Sequence, residues 1–208
     1  MQRRALLALP FLLPPLTALA QPATLNERDR ADLARAETWM NGLQSLKARF
    51  LQIAQNGASA EGTGWIVRPG RMRFEYDPPE PLLLVASHGQ FFYFDKQLRQ
   101  ATTVALSATP LGILLNENLR FSGDITVTGV QRGGGLLRIT LFRTGRAAEG
   151  RLTLVFAEQP MELKQWAVVD AQGRETRVSL FQAEYGGRYP SSLFEFNDPR
   201  FREQLGIP

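Results

Sequence analysis

Cysteine is absent from the 208 residues, and histidine occurs once, as His88. The first absence removes thiolate nucleophiles, Cys-ligated metals and disulfides together. The second removes an HExxH zinc site, which needs two histidines on one helical face. No charge of one sign dominates either, since 24 basic and 20 acidic side chains leave a formal +4. Bases and acids are interspersed, as in "NERDRADLARAE", and no Lys/Arg stripe alternates with aromatics as a nucleic-acid groove requires. No GxSxG nucleophile motif occurs, and Ser87 and His88, as neighbours on a strand, would point to opposite faces. Gly133-Gly134-Gly135 lacks the Lys-Ser/Thr of a phosphate loop and reads as a hairpin turn. Glu75 and Asp77, the nearest alternating carboxylates, sit beside Arg71 and Arg73 and read as charge partners on a wet face. We therefore expect no enzyme, no cofactor, no metal and no nucleic-acid partner.

Long apolar runs are also missing. The longest, "ALLALPFLLPPLTALA", is broken by Pro10, Pro14 and Pro15 and falls short of the roughly 20 residues that span a bilayer. After the basic "MQRR" and before a small-residue site at Ala18-Leu19-Ala20, it reads as a signal peptide over residues 1–20. Its removal takes away Arg3 and Arg4, leaving a charge of about +2 on a chain of about 188 residues. That length predicts one domain over 21–208, in an exported compartment. Without disulfides its core must suffice alone; 44% of residues are hydrophobic and 13 are phenylalanine.

What is present reads mainly as strand. Asn26 is placed to cap a helix entered through Glu27 and Asp29, with Leu33, Ala36, Met40 and Leu43 at helical spacing and Asn41-Gly42 as the stop. Turn signals then recur about every ten residues. Between them lie about a dozen short runs, from "LKARFLQIAQ" to the final "LFEF", the pattern of an antiparallel meander and a curled sheet or barrel. One stretch interrupts it. "SATPLGILLNENL" starts a short helix at Pro110 with an apolar stripe of Leu111, Leu114 and Leu115, which should lie against the sheet.

The ribbon "RPGRMRFEYDPPEPLLLVASHG" carries the most information. Met72, Phe74 and Tyr76 share one face of a strand, and Arg71, Arg73 and Glu75 the other. Arg68 has the parity of the apolar face, where a guanidinium needs a partner because it cannot lose its proton. "LLLV" and "FFYF" are apolar at every position and leave their parity open.

These segments, together with "GWIV", "FFYFDKQLRQ" and "TPLGILL", resemble the LolA family, periplasmic carriers of outer-membrane lipoproteins in Gram-negative bacteria. The resemblance implies a mainly β fold with some α: an unclosed antiparallel β-barrel covered by a helical lid. It implies a periplasmic monomer that holds the acyl chains of lipoproteins, with an ATP-driven inner-membrane release complex and an outer-membrane acceptor as partners. It assigns Ile66, Met72, Phe74, Tyr76, Leu84, Phe92 and Phe94 to the acyl-chain cavity, and Leu111, Ile113, Leu114 and Leu115 to the lid. Arg68 becomes the lid lock, hydrogen-bonded to lid backbone. A carrier of free lipid and a lipid- or lipoprotein-sensing module of the same half-barrel shape stand as alternatives.

Overall fold

The computed structural model describes residues 22–196 together with 202 and 203; the expected signal peptide lies outside them. Among the described residues, helix α1 (Glu27–Gly42) precedes eleven strands that form a single sheet. The strands are β1 (Ser45–Ala54), β2 (Ser59–Val67), β3 (Arg71–Tyr76), β4 (Leu82–Ser87), β5 (Gln90–Asp95), β6 (Gln100–Ala105), β7 (Ile125–Gly133), β8 (Leu136–Arg143), β9 (Arg151–Glu158), β10 (Met161–Val169) and β11 (Glu175–Tyr185). Their spatial order is β6-β5-β4-β3-β2-β1-β11-β10-β9-β8-β7. The sheet is antiparallel throughout and does not close into a barrel.

This order explains why something must lie across the sheet. β6 and β7 are consecutive in sequence yet form opposite edges, so the connection from 106 to 124 has to traverse a face. It contains two 3-10 turns, Leu106–Ala108 and Pro110–Ile113. The expected helix is therefore two short turns, in keeping with Thr109, Pro110 and Gly112, all poor in a helix interior. Ile113, Leu114, Leu115 and Leu119 are almost wholly buried.

The crossing segment is fastened along its length. Leu106 N–H donates to the Gly89 carbonyl at its start, and Gly70 N–H to the Leu115 carbonyl at its middle. Toward its end, the Asn41 side chain donates to the Leu119 carbonyl and accepts from its N–H, at 2.9 and 2.8 Å. Asn41, in the last turn of the helix, thus clamps the segment, while the helix itself ends one residue later at Gly42 with Leu43 as its cap.

Helix α1 covers part of the same face. Asn26 and Asp29 form a reciprocal capping box, which satisfies two end donors of the first turn. Leu33, Ala36 and Met40 are buried against the sheet, and Trp39 meets Phe156 edge-on at 5.7 Å. Arg132 of β7 pairs with Asp29 and Asp32, fixing the helix over that edge.

The outer face of β2–β5 is also covered, contrary to the sequence pattern. "LFEF" forms no strand; a 3-10 turn at Ser191–Phe194 lays Phe194 and Phe196 on Leu83, Val85, Phe92 and Phe94. Phe92 and Phe196 stack at 4.8 Å. Arg73, expected on a wet face, is buried here, donating to the Leu193 carbonyl at 3.0 Å and pairing with Glu75. Asp77 pairs instead with Arg49.

Candidate functional site

The concave face is built by register. Across it run Leu180, Phe50, Gly62 and Tyr76 in one row, and Ala48, Gly64, Phe74, Leu84, Tyr93 and Thr102 in the next. Gly62 and Gly64 matter because they have no side chain. A Cβ at Gly64 would meet the Phe74 ring at 2.7 Å, and one at Gly62 would meet Phe50 at 2.7 Å. Their absence lets the two rings lie over β2, 4.7 Å apart, with Tyr76 edge-on to Phe50 at 5.0 Å and Trp166 edge-on to Phe74 at 5.8 Å.

Between this aromatic floor and the crossing segment lies a cavity of about 520 Å³. Met72, Phe74, Tyr76 and Leu84 line it from the ribbon, Trp166, Val168 and Val178 from the far strands, and Ala108–Leu111 from above. Its few polar groups are largely satisfied or at the rim. The Tyr76 hydroxyl donates to Gln52 Oε1 at 2.7 Å, and burial pushes that phenol well above its ordinary value. Asp170, Gln172 and Glu149 sit around the mouth. Among the described residues no group of three or more His, Cys, Asp or Glu is placed to hold a metal ion.

The predicted site residues divide into three groups. Met72, Phe74, Tyr76, Leu84 and Leu111 border the cavity; Ile66, Ile113, Leu114 and Leu115 belong to the same buried cluster without lining the void. Phe92 and Phe94 do not belong to the cavity. They face the outer surface under Phe194 and Phe196, and Phe91 takes the inward place on β5. Trp166, Val168, Val178 and Gln52 escaped the sequence reading, although each follows the alternation of its own strand.

Arg68 stands at the end of β2 in the parity of Ile66. Its Nη2 donates to the Asn116 carbonyl, just beyond Leu115, while its Nε is buried without a hydrogen-bond partner. Burial lowers its pKa below the ordinary arginine value, and the guanidinium keeps its charge regardless. A second arginine shares this predicament. Arg143 has the parity of Leu137, Ile139 and Leu141, its Nε is also buried without a partner, and it lies against Gly112 of the crossing segment. Sequence reasoning missed it, though the signal was the same as for Arg68.

Fold and site together define an unclosed antiparallel half-barrel that encloses an apolar cavity beneath its own crossing segment. The profile of the family described as "Outer membrane lipoprotein carrier protein LolA" matches residues 41–197, and the chain belongs to that family. An outer-membrane lipoprotein carrier protein from Chromobacterium violaceum is 28% identical over 203 residues, 91% of this chain and 95% of that protein. One from Legionella pneumophila is 28% identical over 173 residues, covering 77% and 83%. The crystal structure of a DUF1329 family protein from Desulfovibrio piger matches with a TM-score of 0.50 at 9% identity, covering 81% of this chain and 97% of that one; it is alike in fold alone.

Proposed function

We propose that this protein is a periplasmic carrier that takes the acyl chains of lipoproteins released from the inner membrane into its cavity and brings them to the outer membrane. The observation that carries this reading is the cavity itself: about 520 Å³, floored by Met72, Phe74, Tyr76 and Trp166, roofed by a short segment and predominantly apolar, with Gln52, Glu149, Asp170 and Gln172 among its few polar lining residues. A void of this size is within the range of ligand sites, about 300–1,000 Å³, and its lining offers hydrocarbon contact with little to recognise a polar molecule. The roof acts as a lid. Leu111 faces the cavity from above, Ile113, Leu114 and Leu115 seat the lid in the buried cluster, and Arg68 bonds the segment through the Asn116 carbonyl. Cargo is handed over by an ATP-driven release complex at the inner membrane and received by an acceptor at the outer membrane, the partners that membership of the carrier family implies.

The test is Phe74→Glu, which puts a carboxylate among the acyl chains, where it is costly unless it stays protonated. The purified variant should keep the far-ultraviolet spectrum of the wild type and lose uptake of a triacylated lipoprotein from detergent micelles. Uptake at the wild-type level by a folded variant would remove the cavity from the mechanism.

A further inference from the structure

The two edges of the sheet are finished differently. β7 is partly covered, because Ala23 N–H donates to the Val127 carbonyl at 2.9 Å. A bulge between Val127 and Gly129 breaks its line, and Arg132 is drawn onto α1. Among the described residues β6 has none of these devices. Its residues, Gln100, Ala101, Thr102, Thr103, Val104 and Ala105, include no charge and no proline, and every one is exposed. They pair with β5 without a register shift. Proteins ordinarily blunt such an edge with a charge, a proline or a bulge, because its free backbone groups template another strand.

The direction of those groups follows from the ladder. Leu106 N–H donates to the Gly89 carbonyl at 2.8 Å. Alternation along an antiparallel pair then turns the backbone of Val104, Thr102 and Gln100 toward β5 and that of Ala101, Thr103 and Ala105 outward. Val104 lines the cavity, so Thr103 has its side chain on the opposite face.

We infer that β6 is a docking edge for an extended peptide, and that its occupant is the stretch of cargo polypeptide that follows the acylated residue, added as a further strand. This rests on the carrier reading above. The outward row of N–H and C=O groups selects a strand-like backbone over any other partner chemistry. The same strand borders the cavity through Val104, so the peptide attached to seated acyl chains emerges beside it. β6 also runs directly into the lid, whose first turn begins at Leu106. A strand added here engages the element that must move when the cavity fills.

Thr103→Pro tests this cleanly, because it deletes an outward N–H without touching the β5 ladder or the cavity lining. Two ligands are compared by titration: triacylated cysteine amide, and the same group carrying a short Ser/Asn-rich peptide. Two or so added backbone bonds predict that wild-type protein binds the peptide-bearing ligand about tenfold tighter, and that the variant binds both alike. Equal affinities in the wild type, or an advantage that survives in the variant, would overturn the inference. Failure of the wild type to bind triacylated cysteine amide would instead sink the carrier reading. Should the proline variant not fold, amide exchange in the wild type decides: the peptide-bearing ligand should slow exchange at Ala101 and Thr103, and unchanged exchange there would count against the docking edge. A dimer of the free chain that Thr103→Pro dissociates would assign the edge to a second copy and overturn the assignment to cargo.

Discussion

Replacing Arg68 with leucine probes the hold on the crossing segment, and its expected size can be worked out from the atoms involved. Its bond to the Asn116 carbonyl comes from a charged donor, and such bonds contribute about 1.5–3 kcal/mol. Two features reduce the net effect. Arg68 Nε is buried without a partner, an arrangement that costs about 1–3 kcal/mol and that leucine removes. The bond from Gly70 N–H to the Leu115 carbonyl, at 3.0 Å, survives the change. With the bond near the middle of its range, about 2.3 kcal/mol, and the unpaired Nε at the low end of its own, about 1 kcal/mol because the same guanidinium is already bonded through Nη2, a net loss of about 1.3 kcal/mol remains. The open population should then rise roughly tenfold and not a hundredfold. The chain has no cysteine, so Leu114→Cys supplies a unique thiol at a site only 1% exposed. In that background the rate of thiol labelling reports local opening. Adding Arg68→Leu should speed labelling about tenfold, and Arg68→Lys should fall between, since an ammonium lacks the planar fork. The leucine variant should also load lipoprotein at least as well as the wild type but transfer it slowly to acceptor membranes. An unchanged labelling rate, together with wild-type transfer, would make Arg68 a rim residue and end the lock hypothesis.

Three further outcomes follow from particular contacts. Gly112→Ala would press a methyl group into the Leu106 carbonyl and to 2.9 Å from Arg143 Nη2; at about 1–3 kcal/mol for such overpacking, labelling at Leu114→Cys should rise and the melting temperature should fall by about 2–4 °C per kcal/mol, and unchanged labelling would refute the close fit. Phe94→Ala empties a fully buried position on the outer face and should cost about 3–5 kcal/mol in urea unfolding, with the folded fraction still binding triacylated cargo; lost binding at unchanged stability would return Phe94 to the cavity. The Asn26 backbone N–H, and then Arg132, hold the Asp29 carboxyl below its ordinary 3.8, so its contribution is present above that value and lost as pH falls through the folded one. Melting temperature against pH should therefore drop less steeply below about pH 4 in Asp29→Asn than in the wild type, and identical profiles would discount the cap.

Where one face of an element was dry and the other wet, its place could be read from the sequence. β3 shows this: Met72, Phe74 and Tyr76 lie on the cavity side as their alternation requires. So does α1, whose Asn26 cap and buried stripe were legible in spacing alone. β4 and β5 were not legible, because both of their faces carry apolar side chains, the inner one partly exposed at Leu84, Phe91 and Tyr93. The outer one lies under Leu193, Phe194 and Phe196, so alternation carried no contrast and Phe92 and Phe94 were placed on the wrong side. Arg73 misled for the same reason, since a charge marks a wet face only where no later segment returns to cover it. Gly62 and Gly64 gained meaning only with the register that sets them opposite Phe50 and Phe74. Trp166 and Val178 reach the site through the pairing of β1 with β11, a contact across more than a hundred residues that no local pattern encodes.

The strength of the latch bears directly on how tightly cargo can be held. An acyl chain of about 15 methylenes gains about 12 kcal/mol on leaving water, at roughly 0.8 kcal/mol each. Three such chains would exceed the ceiling of about 20 kcal/mol for non-covalent binding. A carrier that matched them fully would never release them, so the relevant comparison is membrane against protein, two apolar phases of similar affinity. Closure enters that balance as a competitor. On the proposed carrier reading, Leu111 and its neighbours roof the cavity above Met72, Phe74 and Tyr76, and acyl chains that outgrow its volume must lift them. If only the open fraction binds, the apparent dissociation constant is the intrinsic one divided by that fraction. A tenfold gain in opening would then tighten cargo binding about tenfold while the open state stays the minority. Loading improves, and release to the acceptor suffers by the same factor. On the proposed reading Arg68 is suited to such a setting, with Nη2 bonded to the Asn116 carbonyl and Nε buried without a partner: the bond would hold the segment shut, and the unpaired Nε would limit what that bond contributes.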